Sequence, residues 1–152
     1  MKFTKMQGAG NDYIYVNLFE EKVPDPEKTA IAVSNRNFGI GSDGLILIAP
    51  SDKADARMIM YNSDGSMSEM CGNGVRCVAK YVYDHNISKK TTLDIETGAG
   101  IKRIELTIEN GKAVSAKVNM GNPYLQPKDI PVNAANGLVV RNKLTALDRE
   151  FE

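Results

Sequence analysis

The 152-residue sequence has one histidine, two cysteines, no long apolar run and no surplus of charge of either sign. Each shortage excludes a class of function. Lysine plus arginine and aspartate plus glutamate each number 19, so the basic excess that counterion release at nucleic acid would reward is missing. The longest apolar runs, such as Leu45 to Ala49, fall far short of the ~20 residues that cross a bilayer. Met1-Lys2-Phe3-Thr4-Lys5 leads into no apolar segment of the signal-peptide kind, so the expected location is the cytoplasm, with no membrane partner. A zinc site takes three or four ligands, and Cys71, Cys77 and a lone His85 offer neither the number nor the spacing. No metal is therefore expected. A cysteine hydrolase needs a histidine base beside its thiol. His85 falls at the far end of the helix that follows Cys71, where it reads as a surface residue meeting the negative helix end.

Gly8-Ala9-Gly10 and Gly39-Ile40-Gly41 do not complete the three-glycine dinucleotide loop and read as tight turns. A pyridoxal cofactor would require a Schiff-base lysine, and the sequence singles none out. There is no internal repeat and no low-complexity stretch. The two cysteines are six residues apart, about 600° of rotation on a shared helix, hence on different faces. A rigid helix cannot bring such sulfurs together, and in a reducing compartment both should be free thiols.

What remains is an ordinary globular composition, 42% apolar and 25% charged, in a chain long enough to hide about 70% of its unfolded surface. Lys2 to Gln7 and Asp12 to Leu18 read as strands around a Gly8-Ala9-Gly10-Asn11 turn, with Tyr13 to Val16 supplying β-formers. Pro24-Asp25-Pro26-Glu27 opens a helix running to about Asn35. Phe38 to Gly44 is a loop, and Leu45 to Ala49 and Ala56 to Tyr61 are strands. A second helix carries Val75, Val78, Ala79 and Val82 at helical spacing. Thr91 to Glu96 is a strand, and Ile101 to Ile108 and Ala113 to Met120 form a hairpin about Asn110-Gly111. The remainder holds Pro123, Pro127 and Pro131, a loop at Asn133 to Asn136 and another strand over Lys143 to Leu147. Many strands with two helices make the class α+β.

The stretch from Asn62 to Cys77 joins a buried strand to the second helix. The first turn of a helix has unpaired N–H groups and a partial positive charge. It can hold a carboxylate ligand, and the same field favours a thiolate, which marks Cys71 as a reactive thiol. Gly72 and Gly74 are poor helix formers, and their use suggests that backbone approaches a ligand closely. Asn62 and Asn73 add uncharged donors and acceptors. The competing reading of Cys71 is a buried structural thiol, as most free cysteines are; the glycine-flanked helix start weighs against it. Cys77, beside core-facing Val75 and Val78, keeps the structural reading.

Three segments, Met6-Gln7-Gly8-Ala9-Gly10-Asn11-Asp12, Gly39-Ile40-Gly41-Ser42-Asp43-Gly44, and Asn62 to Ser66 with Met70 to Cys77, resemble those of diaminopimelate epimerases. Proline racemases share a cysteine-glycine element, but Asn73 and Arg76-Cys77 fit the epimerases better. The resemblance implies cofactor-independent interconversion of LL- and meso-diaminopimelate on the route to lysine and peptidoglycan. One cysteine thiolate removes the α-proton while a second cysteine thiol delivers one to the opposite face. By resemblance Cys71 is one of that pair, and Asn11, Asn62, Gly72 and Asn73 contact the substrate. Where some members carry a glutamine after the aspartate of the second motif, Gly44 stands here, so that contact is absent or supplied otherwise. The implied fold is one half of a pseudo-symmetric pair, a β-rich barrel-like sheet wrapped around a central helix. Residues 1–118 would form the catalytic half and 119–152 the start of a second, mostly missing one that carries the partner cysteine. The expectation is a truncated form, inactive alone, whose apolar face favours association, a homodimer included. A non-catalytic module binding an amino-acid carboxylate and a structural domain that dimerises are the readings of other classes.

Overall fold

The computed structural model describes residues 1–130, 132 and 143–151; Pro131 and the loop expected at Asn133 to Asn136 lie outside them. Met1–Met120 forms one compact unit and Gly121–Glu152 another.

The first unit begins with β1 (Thr4–Gly8) and β2 (Asn11–Asn17), an antiparallel hairpin. Its turn places Ala9 and Gly10 at φ 52° and 84°, the paired left-handed conformation that two-residue hairpin loops require. Helix α1 (Pro26–Ser34) starts at Asp25, whose carboxylate accepts the Lys28 N–H at 3.2 Å. Proline and acid in the first turn suit that start. Strand β3 (Gly44–Ala49) runs parallel to β2, and β4 (Ala56–Asn62) antiparallel to β3. A two-residue β5 (Met67–Ser68) pairs with β4, too short for any alternation to reveal it. Helix α2 (Gly72–Asp84) follows, then β6 (Thr92–Thr97), parallel to the start of β4. The hairpin of β7 (Gly100–Glu109) and β8 (Lys112–Val118) turns at Asn110 and Gly111, with φ 48° and 75°.

These strands form one eight-stranded sheet in the order β1-β2-β3-β4-β6-β7-β8, with β5 beside β4. Laid flat, β1 and β8 would stand roughly 29 Å apart at the usual strand spacing. A helix is only about 10–12 Å across, yet α2 packs on both β1 and β8. The sheet therefore curls around α2. Alternation along the strands explains how: Tyr13, Tyr15, Ile46 and Ile48 face Val75, Val78, Ala79 and Val82 of α2. Their neighbours Ile14, Val16, Leu45 and Leu47 pack with Ala30 of α1. Covered on both faces, β3 reads as an unbroken apolar run. The result is the expected α+β half-barrel with α2 at its centre.

In the second unit Pro127–Asp129 makes one turn of 3-10 helix. Strands β9 (Leu144–Ala146) and β10 (Arg149–Phe151) pair antiparallel across Leu147-Asp148, so the strand expected at Lys143 to Leu147 is β9.

If curling onto α2 holds the unit together, trimming its inner wall must be costly. Ile46, fully buried on that wall, should lose about 3 kcal/mol of unfolding free energy as Ile46→Ala. Val114, 55% exposed on β8, should change by less than about 0.5 kcal/mol as Val114→Ala. Urea unfolding of both variants measures the contrast.

Candidate active site

The chain enters α2 under constraint. The Ala99 N–H donates to the Glu69 carbonyl at 3.2 Å, and a Cβ at Gly98 would come within 2.8 Å of the Glu69 Cα. The β6–β7 turn thus clamps the backbone two residues before the helix cap. Cys71 is that cap, with extended φ and ψ of −135° and 112°. Its Sγ accepts the Gly74 N–H at 3.2 Å, the role an N-cap oxygen usually plays. Two further glycines tighten the fit. A Cβ at Gly74 would stand 2.7 Å from Ile46 Cδ1 and 3.4 Å from Cys71 Sγ, and one at Gly8 would stand 3.0 Å from the Asn73 carbonyl oxygen. At Gly74 the absence of a side chain thus also serves packing on β3, beyond the ligand approach expected of it. Gly72, half-buried, has the Met120 side chain near its open face.

The half-buried Cys71 sulfur also lies 3.3 Å from Asn11 Oδ1. The other end of that amide, Asn11 Nδ2, donates to Asp43 Oδ2 at 2.6 Å. A carboxylate offers only acceptors, so the nitrogen must face Asp43 and the oxygen must face the thiol. Asp43 Oδ2 also accepts the Asp12 N–H at 3.0 Å, and Asp43 N–H donates to the Asp12 carbonyl at 2.7 Å. Arg36 bridges the two carboxylates, at 2.9 Å to Asp43 and 2.6 Å to Asp12, and Lys5 adds a contact to Asp12 at 3.2 Å. The Arg36 hydrogen bond is the largest influence holding the Asp12 carboxyl at about 2, below the ordinary 3.8. On the core side, burial and then the charge of the neighbouring Cys71 push the Tyr13 phenol up to about 12.

The remaining expected site residues are placed unevenly. Asn73 follows Cys71 on the first turn, but its Oδ1 accepts from Arg76 at 2.5 Å. Asn62 ends β4 opposite Gly44 in register, with its amide donating to Ser66 Oγ at 3.0 Å. Asn11 alone of the expected residues has its side chain hydrogen-bonded to the sulfur among the described residues. At Gly44 a Cβ would sit 2.2 Å from the Tyr61 carbonyl oxygen, so no side chain fits there, glutamine included. Cys77 is 7% exposed within the core, as its neighbours suggest. His85 caps the far end of α2 and stacks on Tyr81 at 3.9 Å. Among the described residues no group of three or more histidine, cysteine, aspartate or glutamate side chains could hold a metal, and no helix is long and apolar enough to cross a membrane. Arg36, Asp12, Tyr13 and Asp43 adjoin the site without having been expected there. Asp12 and Asp43 lie inside the family-like segments, whereas Arg36 lies outside all of them.

Comparison with known proteins bears on this site. A family model described as Diaminopimelate epimerase matches residues 3–126. The diaminopimelate epimerase of Agathobacter rectalis is 60% identical over 148 residues, covering 97% of this chain and 52% of its own. That of Acetivibrio thermocellus is 60% identical over 152 residues, covering 100% of this chain and 54% of its own. The chain thus spans about half the length of the curated relatives it matches. Among solved structures it is similar to a methylitaconate-delta-isomerase, at 19% identity and a TM-score of 0.62, over 73% of this chain and 35% of that one. A hydroxyproline epimerase from Agrobacterium vitis, with bound trans-4-hydroxy-L-proline, gives 16% identity and a TM-score of 0.59, over 78% and 40%. At these identities the likeness is one of fold, a curled sheet about a helix.

Two outcomes follow from the geometry. Iodoacetamide should modify Cys71 at least about tenfold faster than the buried Cys77, read by peptide mass mapping; equal rates would mean the sulfur is not presented as described. The second concerns pH. A carboxyl held low in the folded state stabilises it above the unfolded value, and that stabilisation is lost as pH falls through the folded value. The melting temperature should therefore drop between about pH 4 and pH 2, and drop less steeply in Asp12→Asn.

Proposed function

The chain belongs to the diaminopimelate epimerase family, and from that premise we propose that it is the Cys71-bearing half of a pyridoxal-independent epimerase. The substrate in this reading is 2,6-diaminopimelate, interconverted between its LL and meso forms in the supply of lysine and peptidoglycan precursors, in the cytoplasm. Residues 1–118 make the catalytic half, and 119–152 begin the second half.

The observation that carries the reading is the sulfur at the head of α2, held between the Gly74 N–H and the Asn11 amide oxygen. The chemistry needs a group that can both release and accept a proton beside a bound carboxylate. The N–H groups of the first turn of α2, at the positive end of the helix, suit the α-carboxylate and the negative charge that develops on it as the α-proton leaves. Asn11, Asn62, Gly72 and Asn73 line that approach in this reading. For Asn73 and Asn62 it requires their amides to leave Arg76 and Ser66.

Inversion also needs a second acid on the opposite face of the α-carbon. Cys77 does not supply it, because it is buried on the core side of α2. The 152-residue chain alone should then show no epimerisation. In a chain extended over the full length of the relatives, Cys71→Ala should lower the rate of α-deuterium uptake from D2O by about 10³-fold, and Cys77→Ala by less than about threefold. Retained uptake in Cys71→Ala would overturn the assignment.

A further inference from the structure

The network around Asn11 has a direction. An amide can face a thiol with either end, as an acceptor for S–H or as a donor to S⁻. Asp43 removes the choice, because its Oδ2 already gathers two donors, Asn11 Nδ2 at 2.6 Å and Asp12 N–H at 3.0 Å. Only an oxygen satisfies both. Asp43 is itself tied, through Oδ1 to Arg36 at 2.9 Å and through its backbone to Asp12. The amide oxygen left facing Cys71 accepts from a protonated sulfur and repels a thiolate. Opposing it, the Gly74 N–H at the positive end of α2 favours the thiolate. Among the described residues the ionisable and charged groups around the sulfur are Tyr13 and the more deeply buried Tyr15 from β2, Asp43 and Asp12 through Asn11, and Arg36 and Lys5 behind them.

We propose that Asp43 is a positioning residue which locks the Asn11 amide oxygen toward Cys71, so that the resting sulfur carries the proton it is to donate. The inference rests on the reading of Cys71 as an acid/base and adds what sets its resting state. Asp43 touches neither sulfur nor substrate in this account; it acts through Asn11. Without it the amide can turn and offer its N–H₂ to the sulfur, favouring thiolate.

The test is alkylation of Cys71 by iodoacetamide in the 152-residue chain, followed by mass mapping. At about pH 7 the rate should rise about fivefold in Asp43→Ala, the effect of losing one hydrogen bond to the thiol. At about pH 10, above the ordinary cysteine range, native and variant rates should converge. Asp43→Asn removes the same charge and can keep its one oxygen on the two donors, giving up the Arg36 contact while Arg36 keeps Asp12, so it should stay within about twofold of the native rate. Asn11→Ala, which deletes the acceptor itself, should rise like Asp43→Ala and carries the test if that variant does not fold. An unchanged rate in both alanine variants overturns the proposal. So does an equal rise in Asp43→Asn, which would be a charge effect, or a difference that persists at high pH, which would be access. Alkylation reads the sulfur without turnover, so its failure leaves the epimerase assignment standing, and failure of the deuterium test leaves this one standing.

Discussion

The contact between the Cys71 sulfur and the Gly74 N–H, 3.2 Å long, joins the fold to the proposed site. It caps α2, and α2 is the rod about which the sheet curls. The same bond fixes the sulfur at the positive end of the helix, half-exposed and pointing at the hairpin of β1 and β2. Gly74 is what allows it. Any side chain there would press on Ile46 and crowd the sulfur, so one position serves core packing and site geometry together. Gly8 does the equivalent from the other side, letting the end of β1 close on the backbone of Asn73.

Around that sulfur two electrostatic preferences oppose one another. The helix start and its N–H favour the ionised form. The oxygen of Asn11, set by Asp43 and anchored by Arg36, favours the protonated one. In the proposed acid/base role such opposition is an advantage, since neither state is held so firmly that the proton cannot move. The buried Tyr13 beside it, its phenol raised mainly by burial, stays neutral and adds no competing charge at neutral pH.

Much of this was legible in the residues. The Asn110-Gly111 and Ala9-Gly10 turns, the Asp25-Pro26 helix start and the valine spacing of α2 are local signals, and each matched the structure. Cys71 was legible because its glycine neighbours are unusual for an ordinary helix start, whereas Asn11 came only from the resemblance of its segment to the family. The rest depended on tertiary approach. Arg36 follows α1 with no motif around it, and only the closing of that loop onto β2 brings it to Asp12 and Asp43. The packing part played by Gly74 was not legible because Ile46, which faces it across the core, stands 28 positions earlier in the sequence. Strand β5 escaped because two residues carry no periodicity.

The central claim is that the head of α2, with Cys71, is where an amino-acid substrate sits. Substrate protection tests it most directly. In the 152-residue chain, rising concentrations of diaminopimelate should slow iodoacetamide modification of Cys71 to a saturating limit, while modification of glutathione in the same tube is unchanged. A Cys71 rate that stays constant across the whole concentration range would contradict the account.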